Sequence, residues 1–134
     1  MVQKEVDITY LAGMMDADGS FCIVKSRNGY EPRASISNGC RPMLEWCAAF
    51  VDQPHSITLK KKQKDYHSDN YDLKWSYNAA LAVAALVRNH LRVKSRQAKC
   101  ICRWSDVVKR NGRYTKTELQ CRNDLVAEIK LLNT

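Results

Sequence analysis

The sequence predicts an α+β domain of αββαββα order with two more helices appended, in which helices cover one face of an antiparallel sheet. Three observations predict it. Two pairs of stretches alternate in hydrophobicity as hairpin strands do, each pair follows an apolar helical pattern, and no Pro-rich linker, low-complexity segment or repeat divides the chain. At 134 residues the chain has the size of one compact domain, spanning 1–134. With 45% hydrophobic and 27% charged residues, 5 Gly and 3 Pro, the composition excludes a disordered or fibrous chain.

In chain order, Asp7 or Thr9 can cap a first helix running to Asp18, with Gly19 placed to end it in the left-handed conformation. Phe21 to Arg27 alternates as a strand, Asn28-Gly29 is a turn dipeptide, and Pro32 to Asn38 reads as the returning strand. Pro42 lies in the first turn of a second helix with apolar positions Met43, Leu44, Trp46, Cys47, Phe50 and Val51. Ser56 to Gln63 and Tyr71 to Tyr77 form a second hairpin across the polar loop Lys64 to Asn70. Asn78 is placed to cap an Ala-rich helix to Asn89, and helices over Ser95 to Lys109 and Glu118 to Leu132 complete the chain. Alternation turns Phe21, Ile23, Ala34, Ile36, Ile57, Leu59, Leu73 and Trp75 toward the helices.

The 22 Lys and Arg against 14 Asp and Glu leave a net charge of +8, the balance of a nucleic-acid binder, although basic enzymes and ribosomal or membrane-surface proteins share it. The six cysteines form no C-x-x-C pair and read as free thiols, most of them buried, in a reducing compartment. Cys100 and Cys102 are two apart on a helix and point to different sides. The polar N-terminus and the lack of any membrane-length apolar run predict an intracellular protein of the cytoplasm, nucleoid or an organelle, neither secreted nor bound to a membrane. Trp46, Trp75 and Trp104 fall on apolar faces and read as core, and nothing marks His55, His67 or His90 as ligands.

The first helix is apolar on more than one side. Ile8, Leu11, Ala12 and Met15 make one stripe, and Tyr10, Met14 and Ala17 make another, so one face can cover its own sheet while the other needs a second partner. The small residues Ala12 and Gly13 permit close backbone approach. At its far end Asp16 and Asp18 stand where the helix dipole is negative, which disfavours a carboxylate by about 0.3–1 kcal/mol each. A divalent cation held by a carboxylate, a main-chain carbonyl and a phosphate would offset this; so would a salt bridge, or solvent exposure. An EF-hand does not fit, because it would place Met14 at the first ligand position.

Leu11-Ala12-Gly13-Met14-Met15-Asp16-Ala17-Asp18-Gly19, followed by Ser20-Phe21, resembles the nine-residue signature of the LAGLIDADG homing endonucleases. The likeness extends along the chain: the αββαββα order, Ile36-Ser37-Asn38 before the second helix, and Leu91 to Ala98, similar to the family's L-x-x-K-x-x-Q-A segment. The resemblance implies a four-stranded antiparallel saddle sheet and site-specific cleavage of double-stranded DNA. With one signature in the chain, it implies a homodimer packed through Tyr10, Leu11, Ala12, Gly13, Met14 and Ala17. It makes Asp18 the metal ligand, with the main-chain carbonyl of Ala17 beside it, and Mg²⁺ the cofactor; Mn²⁺ would substitute and Ca²⁺ would support binding without cleavage. Lys94 matches the basic residue near the scissile phosphate, and Asn38 stands where the family commonly has a Gln. Asp16 is then left to orient the helix ends, and an intron RNA maturase or an inactive DNA-binding regulator is the alternative function.

The same resemblance makes the outward residues of the sheet its DNA-reading surface. The first hairpin contributes Cys22, Val24, Ser26, Arg27, Arg33, Ser35 and Ser37, with Arg41 behind it as a phosphate contact. The second contributes Thr58, Lys60, Lys62, Asp72, Lys74 and Ser76. Lys61, Arg96, Lys99, Arg103, Lys109, Arg110 and Arg113 read as a mixture of phosphate contacts and solvated surface. Strands of roughly 7 residues reach about 23 Å, or about 7 base pairs for each subunit.

Overall fold

The structure is a computed structural model that describes residues 2–27, 29–60, 69–107 and 115–134. Its elements are α1 (Val2–Asp18), β1 (Gly19–Ser26), β2 (Gly29–Asn38), α2 (Arg41–Val51), β3 (Ser56–Lys60), β4 (Asn70–Ser76), α3 (Asn78–Val87), α4 (Ser95–Val107) and α5 (Lys116–Leu132). The four strands form one antiparallel sheet in the order β1-β2-β4-β3, so the two hairpins meet along β2 and β4. In that central pair Ala34 faces Trp75 and Ile36 faces Leu73.

Helices cover one face of the sheet. Beneath them Leu11, Met15, Phe21, Ile36, Leu44, Leu73, Trp75, Ile101 and Ile129 are all below 2% exposed, each contributing roughly 1.5–3 kcal/mol relative to a solvated side chain. The alternation read from β1, β2 and β4 holds, with Phe21, Ile23, Ala34, Ile36, Leu73 and Trp75 buried. Leu59 departs from it. It alternates onto the helix side of β3 but is 56% exposed, β3 being the edge strand of the sheet. Trp46 also differs from the core reading at 37% exposed, whereas Trp75 and Trp104 are buried.

Several boundaries move for local reasons. The first helix begins at Val2, so neither Asp7 nor Thr9 caps it; Asp7 accepts from the Gln3 amide and Thr9 Oγ1 donates back to the Glu5 carbonyl. Gly19 is not left-handed and opens β1 directly. A Cβ there would lie 2.7 Å from Met15 Cα and 2.8 Å from its carbonyl oxygen, so the glycine serves the close approach of strand to helix. Asn78 is the first helical residue of α3, and Tyr77, at φ 53°, is the residue before it. For α5, Thr115 is the cap: its side chain accepts from the Glu118 N–H while Glu118 Oε1 accepts from the Thr115 N–H at 3.0 Å. All six cysteines are free thiols, but only Cys47 and Cys100 are buried, with Cys40 and Cys121 exposed. No helix among the described residues is long and apolar enough to cross a membrane.

Candidate active site

The end of α1 runs without a loop into β1, and the end of β2 returns beside it. This brings Asn38 against Asp18, with the amide Nδ2 donating to the carboxylate at 2.8 Å. The amide is itself held, since its Oδ1 accepts from the Cys40 N–H at 2.8 Å. Asp18 is exposed, with one oxygen engaged by Asn38. Asp16, two residues earlier, is fully used: its carboxylate accepts from the main-chain N–H groups of Arg92, Val93 and Lys94 at 2.8, 3.1 and 3.0 Å.

Lys94 stands at the same helix end. Its Nζ donates to the carbonyls of Met15 and Asp16 at 3.1 and 2.9 Å, satisfying two of the last-turn acceptors that no residue of the helix can reach. The positive partner demanded by two carboxylates at a helix C-terminus is therefore present within the chain. The resemblance implies a place for Lys94 near the scissile phosphate; the structure seats its ammonium on the helix end that carries Ala17 and Asp18.

No group of three or more His, Cys, Asp or Glu side chains that could hold a metal occurs among the described residues. One carboxylate and the adjoining main-chain carbonyl of Ala17 fit a hard divalent cation that completes its shell from water and phosphate, as Mg²⁺ does, better than a cation caged by protein alone.

The face of the sheet opposite the helices carries the other candidate residues. Cys22, Val24, Ser26, Arg33, Ser35 and Ser37 are partly exposed on it, with Thr58, Lys60 and Lys74 exposed and Asp72 and Ser76 half-buried between them. Lys62, Lys61, His67, Lys109, Arg110 and Arg113 lie outside the described residues. Several polar groups here are partnered, while the buried Ser26 hydroxyl has no hydrogen-bond partner among the described residues. Ser37 donates its hydroxyl to Asp72, which also pairs with Lys60 Nζ at 3.3 Å, and the hydroxyls of Ser20 and Ser35 are 2.9 Å apart. Glu31, one residue before the Pro32 start that the sequence predicts for this strand, is on this face, only 8% exposed, and accepts from Arg33 Nε at 2.8 Å. Its two-residue spacing from Arg33 is the signal that would have found it.

The bond from the Arg33 guanidinium holds the Glu31 carboxyl below its ordinary value. Burial pushes the Cys47 and Cys100 thiols up to about 11, which keeps them protonated and unreactive at neutral pH. Arg27 is exposed in the first turn, while Arg41 pairs with Glu45 at 3.0 Å and lies 5.4 Å over the Tyr71 ring. Arg96, Lys99 and Arg103 line a groove between α3, α4 and α5, on the helical side of the molecule and away from the open sheet.

The second face of α1 is open to solvent. Leu11 and Ala12, placed by the sequence reading at a dimer interface, are instead 0% and 1% exposed in the chain's own core. Tyr10, Gly13 and Ala17 are exposed and Met14 partly so, with Val6 at 55% extending the stripe. The Tyr10 ring meets Trp46 edge-on at 5.1 Å, and Trp46 stacks on Phe50 at 5.3 Å, which widens the apolar surface onto α2.

The sequence matches no family model and no curated protein. Solved structures do match. The homing endonuclease I-CvuI in complex with DNA gives a TM-score of 0.74 at 17% identity, covering 98% of this chain and 85% of that chain. The archaeal intron-encoded homing endonuclease I-Vdi141I, complexed with DNA, gives 0.76 at 18% identity over 96% of this chain and 85% of that one. The LAGLIDADG meganuclease I-AabMI bound to uncleaved DNA gives 0.70 at 15% identity; 90% of this chain spans 43% of that one. The antiparallel four-stranded sheet with five helices described above has the LAGLIDADG homing endonuclease fold.

Proposed function

We propose that the protein is a site-specific double-strand DNA endonuclease that acts as a homodimer and hydrolyses a phosphodiester on each strand of a long, near-palindromic target with Mg²⁺. The observation that carries this reading is the exposed carboxylate of Asp18, held by Asn38 at 2.8 Å on a helix end braced by Lys94 and adjoining an open, polar sheet face. Both I-CvuI and I-Vdi141I were solved on DNA, and I-CvuI was studied with Mg and with Ca.

Each chain brings a single exposed carboxylate to this end of α1, and the apolar stripe beside it through Tyr10, Gly13 and Ala17 gives a second copy a surface to pack on. A twofold axis along that stripe would set two Asp18 carboxylates side by side. A divalent cation bound there would supply the Lewis acidity for phosphodiester hydrolysis. Asn38 orients the carboxylate that would hold it, Ala17 offers a main-chain carbonyl, and Lys94 offsets the negative helix end. The open sheet would lie along the major groove, with Arg33, Ser35, Lys60, Lys74 and their neighbours toward base edges and Arg27 and Arg41 toward phosphates.

The test is to incubate the purified protein with a randomised or genomic DNA library in Mg²⁺, with Ca²⁺ as the binding-only control, and to sequence the ends. Discrete ends at one long, near-palindromic motif are expected. Specific retention of DNA in Ca²⁺ with no ends in Mg²⁺ would replace this reading by a DNA-binding regulator, and retention of structured RNA alone by an intron RNA maturase.

A further inference from the structure

On the face of the sheet that lies away from the helices, a glutamate is nearly buried. Glu31 is 8% exposed although its side chain points away from the hydrophobic core, and a carboxylate there works against binding to a polyanion. It is held by its neighbours: Arg33 Nε donates to Glu31 Oε1 at 2.8 Å, and the side chains of Ser76 and Tyr77 also stabilise its charged form. Arg33 stands between Cys22 on β1 and Ser76 on β4, in the middle of the sheet, with its side chain 41% exposed.

The geometry decides which donors of Arg33 remain. Nε is taken by Glu31, so the side of the guanidinium that includes Nε is turned to the protein, and the two terminal nitrogens form the remaining planar fork. A surface arginine that serves only as a phosphate contact needs charge and no fixed orientation, whereas bidentate reading of a base edge needs both. A guanine presents two acceptors, O6 and N7, at the spacing of that fork in the major groove. We infer that Glu31 is a positioning residue for base recognition: it holds Arg33 so that its terminal nitrogens read one guanine in each half-site. This deepens the proposed function and rests on it.

The experiment is selection of bound sequences from a randomised duplex library in Ca²⁺, with base preference read position by position. The wild-type protein is expected to prefer guanine about tenfold or more at one position of each half-site. Arg33→Gln should move that position from guanine toward adenine, the base a Gln amide pairs with in bidentate fashion, and leave the others unchanged. Glu31→Ala should weaken the same guanine preference at least threefold, while Glu31→Gln, which keeps an acceptor for Nε, should retain most of it.

A merely structural Glu31 would lower the melting temperature and flatten every position alike, and that result would overturn the inference. So would an enriched target whose guanine position ignores both substitutions at Glu31. Because Glu31 is buried, Arg33→Gln provides an arm that does not depend on the Glu31 variants folding; an unchanged guanine preference in that variant also overturns the inference. If the wild-type protein enriches no DNA sequence, the proposed function itself fails and this inference falls with it.

Discussion

Asp16 accepts three main-chain N–H groups from Arg92, Val93 and Lys94, while Asp18, one half-turn further along α1, is exposed and held by a single amide. The two carboxylates therefore fail differently. Asp16→Ala strands three donors and should destabilise the fold by about 1–3 kcal/mol in a denaturant titration. Asp18→Asn should leave the melting curve and DNA retention in Ca²⁺ nearly unchanged and abolish cleavage in Mg²⁺; loss of folding in that variant would make Asp18 structural instead. Glu31 adds a pH term. Its carboxyl is lowered from an ordinary value of 4.5 by Arg33, so the pair's stabilisation is complete above that value and is lost as pH falls through the lowered one. Glu31→Gln should accordingly remove part of the slope of stability against pH on the acid side, measured by thermal melts below about pH 5.

At the scale of the elements, the close approach between α1 and β1 and the cap of α5 carry clear energetic consequences. A Cβ at Gly19 would lie under 3.0 Å from the Met15 backbone, which cannot move without shifting the helix, so Gly19→Ala should cost about 1–3 kcal/mol. Thr115→Ala removes the capping box of α5 and should cost about 1 kcal/mol by the same measurement. The cap was within reach of the residues themselves, Thr115-Lys-Thr-Glu118 being a capping-box spacing, whereas the close approach at Gly19 was not, since the sequence reads that glycine as a left-handed helix end. Nor was the helix start at Val2, because the sequence offers no capping residue type before it and the segment Val2 to Asp7 has no strong apolar period. The exposure of Leu59 was equally hidden: alternation assigns a face to a residue but does not say whether its strand is an edge of the sheet.

For the whole molecule, the open stripe of α1 and the wedge of Tyr10 on Trp46 leave an apolar surface that the described residues do not cover. A Cβ at Gly13 would meet nothing within 4 Å, so a large side chain there is compatible with the single chain. Gly13→Arg should fold normally yet sediment as a monomer where the parent protein is expected to sediment as a dimer, and it should lose double-strand cleavage with it. A parent protein that is monomeric at the concentrations at which it cuts would remove the homodimer from the proposed function.

The sequence by itself determined the α+β class, the order of the elements, the inward faces of β1, β2 and β4, and the two-sided character of the first helix. These rest on periods of 2 and 3.6 residues, which are local and legible in any window of the chain. Tertiary structure decided the rest. It chose which stripe of α1 stays open, joined the hairpins through β2 and β4, and carried Lys94 and Asp16 together across 78 residues of chain and Asn38 to Asp18 across 20. Such contacts depend on how helices and sheet pack in space, and no local period encodes a hydrogen bond between segments so far apart.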